Sequence, residues 1–504
     1  MRRDLSRLAD TAFDLLVVGA GIHGACAAWD ASLRGLSVAV VDQDDFGAAT
    51  SANSLRIVHG GLRYLARGDF PRMWESIHER SALLRIAPEL VEPLPVLVAT
   101  HGPGLRSRMA HRVALATNDL VSMFRNRGLN RERTIPRGRL VSRDECLYLF
   151  PGFLPGDGLT GGALWYDAQL RHPERLTLSF LRSAVSRGAA AANYLRVDGL
   201  RVVNGTVEGA LATDGVEGKS FEIRSRAVLV AAGPWTGGLL ARATGAPPLP
   251  TPAHTLGVNL VIRRRLADVG VGVQARTARE RDPVGGGRRF LFLAPHDTTT
   301  LLGTWYAGAN RADTRPQVDR GARVLIEEFN EACPGLALTP GDVVRHQWGW
   351  LPLKAGIEPG RPDALAERPR VLDHSRVGGI CRLFSMEGVK YTTARRVAER
   401  AVDQVFAGLE RKSPRCLTSV TPLDTGNRSD VLYAVREEMA IRLADIVFRR
   451  TSLGEPPGPD RAAVETAARV AGAELGWNAA RQDSEVEDVM RQTGFPSAPA
   501  EAVG

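Results

Sequence analysis

The segment that most constrains this chain runs from Phe13 to Asp42, FDLLVVGAGIHGACAAWDASLRGLSVAVVD. A β-rich run over residues 13–18 leads into Gly19, Gly21 and Gly24. A helical stretch follows over 22–34, and a second apolar run over 37–41 ends at Asp42. This reads as a complete βαβ unit in which each part has a task. Gly19 makes the tight turn, Gly21 lets backbone approach a pyrophosphate, Gly24 lets the helix pack on the strand, and the helix N-terminus offers free N–H groups to phosphate. Asp42 is placed to accept hydrogen bonds from a ribose hydroxyl. The context carries the weight, because glycine makes up 52 of 504 residues and bare G-x-G-x-x-G spacing then arises by chance about half a time. The spacing does recur at Gly156, Gly158 and Gly161, where prolines precede it and no strand-to-helix passage surrounds it. A third imitation, GKS at 218–220, has Thr213 where a phosphate loop needs its first glycine. An ordinary βαβ unit with incidental glycines is the competing reading, and the motif alone does not separate NAD from FAD.

Two later segments bear on that choice. Residues 199–230 read as a β-meander with Asn204-Gly205 as a hairpin turn, ending in RAVLVAAGPWT, where a strand stops at Ala231, Ala232, Gly233 and Pro234. Small residues there let backbone come close to a cofactor, although a tight strand end would look the same. In FSMEGVKYTTARRVAERAVDQVF, Gly388 precedes Thr392 and Thr393, and Val397, Ala401 and Val405 follow at helical spacing. Threonines at a helix start offer capping hydroxyls and an anion-ready terminus, against the alternative of a plain capped helix. Three such segments spread over nearly 400 residues favour a large cofactor wrapped by separate pieces of chain, which fits FAD better than NAD.

At roughly 150 residues per domain the chain holds about three domains' worth. Its net charge of +9 is carried by arginine, since only Lys219, Lys354, Lys390 and Lys412 are lysines. Composition bias explains this better than a nucleic-acid surface, because the arginines are dispersed, the densest run is Arg263 to Arg265, and no nucleic-acid motif accompanies them. Attraction to a phosphate substrate or an anionic membrane surface is the functional alternative. Five cysteines (Cys26, Cys146, Cys333, Cys381, Cys416) without a C-x-x-C pair suit a reducing cytoplasm. Ten histidines without H-x-x-x-H spacing argue against a metal site. The N-terminus imitates a signal peptide, but Asp10 and Asp14 interrupt it and the apolar run enters the glycine motif. No stretch of about 18 apolar residues occurs, so membrane contact could only be peripheral.

After Asp42 the chain reads ATSANSLRIVHGGLRYLARGDF over 49–70. With the βαβ segment this resembles the FAD-dependent glycerol-3-phosphate dehydrogenases, whose pattern there is close to ATSSASSKLIHGGLRYL. His59 to Tyr64 match it without a gap. The resemblance continues at VLVAAGPWT, at GVKYTTAR and at VLYAVREEMAIRLADIVFRRTSLG, and so covers nearly the whole chain. It implies an α/β (α+β) fold: a Rossmann-like FAD-binding domain of the D-amino-acid-oxidase type, interleaved with a β-sheet substrate-capping domain, then a C-terminal helical domain. The expected division is 1–409 for the oxidoreductase part, with FAD segments at 13–90, 165–240 and 371–409 and capping segments at 91–164 and 241–370. A 410–430 linker, helices over 431–495 and a frayed tail over 496–504 follow; Leu432, Val435, Met439 and Leu443 recur at helical spacing. By resemblance Gly19, Gly21, Gly24, Asp42, Thr50, Ser51, Ser54, Gly60, Gly233, Gly388 and Thr392 line FAD, and Arg63, Tyr64 and Lys390 lie near flavin and substrate. The implied reaction is hydride transfer from a secondary alcohol to flavin N5, with a quinone or another electron acceptor.

The substrate side departs from the pattern. The family's G-S-H-I-V-V aligns with Gly257 to Ile262, so its histidine becomes Asn259, which cannot serve as a base at neutral pH. Its S-G-V-R-P-L aligns with Trp348 to Leu353, so the arginine that grips substrate becomes Leu351, removing the bidentate geometry phosphate favours. I-G-T-T-D becomes Leu302 to Tyr306, replacing an acid with an aromatic. His254 or His346 as base, Lys354 or Arg345 as anion clamp, and Tyr306 as hydrogen-bond partner are the nearby substitutes. For each of them a surface or packing role competes. The leading expectation is oxidation of sn-glycerol 3-phosphate to dihydroxyacetone phosphate. The alternative is a flavin oxidoreductase of the same fold acting on another hydroxylated or amine substrate, with Trp305, Trp348 and Trp350 in the pocket walls. A non-catalytic FAD-binding protein is the third reading.

Overall fold

Leu15–Val18 and Val38–Val41 are parallel neighbours connected by the helix Ile22–Leu33. Every residue of both strands is buried, because both faces of their sheet are covered, and so the strands read as unbroken apolar runs. The computed structural model describes residues 1–153, 158–244, 253–276, 289–307, 314–354, 365–426, 430–456 and 458–493. Gly156 of the second glycine match and the 496–504 tail lie outside the described residues.

The nucleotide sheet has the order Arg370–Asp373, Leu383–Glu387, Val228–Val230, Leu15–Val18, Val38–Val41, Ala190–Ala192, parallel throughout except for the first strand. Strand alternation divides its side chains between two cores. Leu15 and Val17 join the core made with the helices Ile22–Leu33, Pro173–Ser186 and Ala394–Gly408. Leu16 and Val18 join the core made with a second, antiparallel sheet. That sheet is the meander Leu195–Val203, Thr206–Asp214 and Ser220–Ser225. Its first turn has φ of 50° at Asn204 and 74° at Gly205, the left-handed pair that a two-residue hairpin requires. Phe13, read from sequence as the start of the nucleotide strand, instead belongs to Ala12–Phe13, which pairs with Ser220–Ser225, and the chain changes sheets at Asp14. The cause is burial of Phe13 on the meander side.

A third sheet has the order Val343–Pro352, His254–Ile262, Thr299–Ala307, Phe290–His296, Gly270–Gln274, Val91–His101, Leu159–Leu170, Ile57–Val58, with Arg139–Val141 alongside Leu159–Leu170. The helix Thr314–Ala332 packs on it so closely that a Cβ at Gly321 would lie 2.4 Å from the Trp305 ring. Trp305 and Trp348 belong to this core, which corrects their expected place in a pocket wall. Of the three tryptophans Trp350 alone reaches the cavity described below.

The C-terminal helices Val431–Glu438, Leu443–Asp445, Arg461–Leu475 and Ala479–Gln492 share a core of their own, joined by a π turn over Ile446–Arg450. The continuous stripe expected over 432–443 is broken. Met439 takes φ of 55° and ends its helix, and its side chain turns into the nucleotide core while Leu443 enters the C-terminal one. The helix stops there because the Met439 carbonyl accepts from Asn193 Nδ2 (2.9 Å) and the buried Glu438 is held by Arg175 (2.6 Å).

Candidate active site

A cavity of about 540 Å³ lies between the C-terminal ends of the nucleotide strands and the third sheet. Gly19, Gly21, Asp42, Thr50, Ser51, Ser54, Gly233, Gly388, Lys390 and Thr392 are on its wall, so the segments singled out in the sequence converge. Gly24, Gly60, Arg63 and Tyr64 are not on that wall. A Cβ at Gly24 would sit 1.8 Å from the Gly19 carbonyl oxygen, so this glycine serves helix-to-strand contact. Gly60 donates its N–H to Asp167 Oδ1 (2.5 Å), and a Cβ there would strike Arg80.

The dinucleotide end is shaped largely by backbone. Gly19 has φ of 99°, and a Cβ would lie 2.7 Å from the Ala231 carbonyl oxygen, so the glycine turn is pressed against the end of Val228–Val230. Ser51 Oγ accepts from the Ile22 N–H (3.0 Å) at the start of the helix. Asp42 accepts from the N–H groups of Ala20 (2.6 Å) and Asp44 (3.1 Å). Burial outweighs those bonds and raises its carboxyl to about 7. Thr393 stands at the start of Ala394–Gly408, but its hydroxyl makes no capping bond, which corrects the expected hydroxyl cap.

The other end is made by side chains. Asn259, Thr304, Tyr306 and Leu351 project from three neighbouring strands of the third sheet, with Thr304 Oγ1 donating to Asn259 Oδ1 at 2.7 Å. Lys390 Nζ donates to Tyr64 Oη and lies 4.3 Å from the ring centroid, and Arg63 Nη2 donates to the same oxygen at 3.2 Å. Burial lowers the lysine's proton affinity, partly offset by Tyr64. Burial also opposes ionisation of Tyr64, but Arg63 and Lys390 outweigh it and hold the phenol below its ordinary value.

Among the substitutes suggested by sequence, Tyr306 is the one on the wall among the described residues. Arg345 is committed elsewhere: Nη2 donates to the Gly454 carbonyl (2.7 Å) and the guanidinium lies over Phe448. Lys354 pairs with Glu367 at 3.2 Å. His254 stands opposite Pro352 in the sheet and His346 opposite Leu260, and neither is on the wall. Two histidines with no role of their own assigned from sequence are on it. His23 Nε2 and His59 Nδ1 are buried without a hydrogen-bond partner among the described residues. Burial lowers His23 to about 4 and, with Arg63, Lys390 and Arg80, holds His59 well below its usual value, so both rings are neutral. The available signal was position, His23 standing between the second and third glycines and His59 opening HGGLRY.

These features fit an adenine dinucleotide such as FAD. Backbone is open to approach at Gly233, where an added Cβ would meet nothing within 4 Å, and a carboxylate ends the second strand. The family model described as FAD dependent oxidoreductase matches residues 14–403, and that of the C-terminal domain of alpha-glycerophosphate oxidase matches 389–482. A glycerol-3-phosphate dehydrogenase of Synechocystis is 32% identical over 434 residues, covering 84% of this chain and 75% of that protein. The mitochondrial glycerol-3-phosphate dehydrogenase of Mesocricetus auratus is 30% identical over 81% of this chain and 54% of its own length. The chain thus spans about half of the animal relatives it matches. The solved glycerol-3-phosphate dehydrogenase of Bacillus halodurans, complexed with FAD, has the same fold, with a TM-score of 0.71, 21% identity and 98% coverage of both chains. The convergent glycine segments, the open cavity and these matches lead to one conclusion: the chain is an FAD-dependent oxidoreductase and belongs to the family of the glycerol-3-phosphate dehydrogenases.

Proposed function

We propose that this flavoenzyme oxidises the C2 hydroxyl of sn-glycerol 3-phosphate to the ketone, with a quinone-type acceptor taking the electrons. The carrying observation is the Lys390–Tyr64–Arg63 cluster beside the cavity, where HGGLRY meets GVKYTT. Bound FAD supplies the acceptor for the carbinol hydride. Gly19, Gly21, Asp42, Thr50, Ser51, Ser54, Gly233, Gly388 and Thr392 hold it along the wall; Gly24 and Gly60 act one step back, keeping the helix and the 59–64 turn in place. Arg63 draws the phosphate anion, which leaves Lys390 free to act in its neutral form. The alcohol proton passes to the Lys390 Nζ and Tyr64 Oη pair, whose members each hold a proton less tightly than the free side chain. A second reading has one observation behind it: Leu351 and Asn259 both face the cavity, and neither can grip a phosphate as a guanidinium would. That favours a less charged alcohol or an amine.

The test is anaerobic mixing of the flavin-loaded protein with sn-glycerol 3-phosphate. Rapid loss of the oxidised flavin band supports the first reading. A flavin that stays oxidised with this substrate, but bleaches with an uncharged alcohol or an amine, supports the second.

The 1–409 oxidoreductase part and the helical 431–495 part, with 410–430 between them, are proposed as the functional division. We also place a peripheral membrane contact on the helix Arg108–Val121. Among the described residues no helix is long and apolar enough to cross a membrane. Met109, Val113 and Leu120 (68% exposed) share one face of it by helical spacing, and Met123 and Phe124 (72% exposed) follow it in the chain. Exposed Arg112, Arg127 and Arg131 lie in the same stretch of chain, a combination that suits an anionic lipid surface. Co-sedimentation with anionic vesicles, lost in a Leu120→Ser, Phe124→Ser variant, is the expected result. Equal recovery of both proteins in the supernatant refutes it.

A further inference from the structure

Asp45 is a carboxylate with 2% exposure, three residues beyond Asp42 and itself on the cavity wall. Its partners are on the C-terminal helices. Arg450 binds both of its oxygens, Nη2 to Oδ1 at 2.7 Å and Nη1 to Oδ2, and Arg449 Nε donates to Oδ2. Both arginines are on the π turn and are themselves fixed there. Arg449 Nη2 reaches Asp445 Oδ1 (2.7 Å), which also accepts from Tyr194 Oη (2.6 Å), and Arg450 Nε donates to the Glu438 carbonyl (3.2 Å). Asn193 Nδ2 completes the set on Asp45 Oδ1 at 2.9 Å.

The 42–51 segment is otherwise tied to the oxidoreductase part. Asp42 is bound to the glycine turn through the Ala20 N–H, and Ser51 Oγ to the Ile22 N–H. Between them the backbone is tied by Gly47 N–H to the Ala20 carbonyl (3.1 Å) and by Tyr194 N–H to the Asp44 carbonyl (3.1 Å). Asp45 anchors this segment, which lines the cavity, to the C-terminal part of the chain. A bidentate guanidinium fixes a carboxylate in direction as well as position, and burial of the cluster keeps it unscreened by salt.

We infer that the C-terminal helices are a working part of the cofactor site: Arg449 and Arg450, clamped on Asp45, hold the 42–51 segment in the shape that binds FAD, and Asp45 is a positioning residue for the cofactor. The inference rests on the placement of FAD along 42–51. A loosened clamp leaves the segment to pay its ordering cost when FAD binds, which appears as lost affinity.

The test uses the full-length protein in Asp45→Asn and Arg450→Lys forms, the second keeping charge while losing the bidentate geometry. FAD dissociation is followed by the rise of free-flavin fluorescence on dilution, and thermal melting is recorded with and without saturating FAD. Arg182→Gln is the control: it removes the pair with Asp424 (2.8 Å) and the longer one with Glu438 Oε1 (3.4 Å), neither of which touches 42–51. The expected result is at least a tenfold faster FAD loss in both clamp variants, with a smaller FAD-induced rise in melting temperature and wild-type behaviour in the control. Wild-type FAD retention in folded Arg450→Lys overturns the inference. So does an equal loss in Arg182→Gln, or a drop in melting temperature that is the same with and without FAD, since each marks general loosening. If Asp45→Asn does not fold, Arg450→Lys alone decides. Should wild-type protein itself fail to retain FAD, the failure lies with the cofactor placement and the inference falls with it.

Discussion

The two ends of the cavity are built from different materials. At the dinucleotide end the work is done by backbone: the Gly19 turn against Ala231, the helix start at Ile22 and a carboxylate gripped by two amides. At the other end, Asn259, Thr304, Tyr306 and Leu351 reach in as side chains from strands whose pairing does not depend on their identity. A backbone site has few sequences that can form it, so its residues announce it. A side-chain site on a paired sheet can exchange histidine for asparagine, or arginine for leucine, without altering the ladder. The family is therefore legible at one end, while the substrate has to be argued from the other.

The comparison breaks most readily at Gly24. Valine there must displace the Gly19 carbonyl, 1.8 Å from the new Cβ. No conserved fold with a working turn can absorb that contact, so flavin content, read as the ratio of flavin to protein absorbance, is expected to fall to near zero. A holoprotein of normal flavin content would show that the backbone end is softer than argued.

A side-chain change at the other end should leave flavin bound. Lys390→Met is expected to keep FAD and lower kcat/KM by about 10²–10⁴-fold, the usual range for loss of an acid–base group, measured by steady-state assay with an artificial acceptor. A variant that loses flavin instead would move Lys390 to the cofactor side of the division. Leu351→Arg sharpens the contrast in the opposite direction. If phosphate is the missing partner of that wall, KM for sn-glycerol 3-phosphate should fall by about tenfold, roughly one charge-assisted hydrogen bond. An unchanged KM would put the phosphate on Arg63 alone.

The smallest effect is a pH dependence confined to the dinucleotide end. As a carboxylate Asp42 would accept hydrogen bonds from the ribose, and burial raises it to about 7 in the FAD-free protein. FAD binding then expels its proton at acid pH, so affinity should strengthen by about tenfold from pH 6 to pH 8 and level off above. Calorimetry in buffers of different ionisation enthalpy would detect the proton. The same raised value makes this group's contribution to apoprotein stability decline as pH rises from about 4 to about 7, because over that window the native chain holds a proton the unfolded chain has lost. A flat FAD affinity across that range would mean Asp42 is ionised before the cofactor arrives.

Much of the nucleotide half was readable from the chain. The strand, glycines, helix and strand of 15–41 and the Asn204-Gly205 hairpin follow from short-range sterics, which act within a few residues wherever the segment is placed. The boundaries that misled were those where a distant partner decides. Phe13 leaves the nucleotide strand for the meander core, Met439 breaks a periodic helix, and the tryptophans expected in the pocket divide between core and wall.

Local pattern by itself determined the dinucleotide βαβ unit, because glycine turns and apolar periodicity are consequences of the backbone; three spaced segments favoured FAD, and the resemblance carried by HGGLRY and the later segments implied the family. Only the tertiary structure decided that Arg345 is spent on the C-terminal helices rather than on substrate, and that His23 and His59 share the cavity wall without partners among the described residues. It also decided that Asp45 meets an arginine 404 positions away. An ion pair leaves no mark on the intervening sequence. Its geometry is set by how three sheets and a helical cluster stack, and that stacking comes from the sum of many buried contacts, none of which is visible one residue at a time.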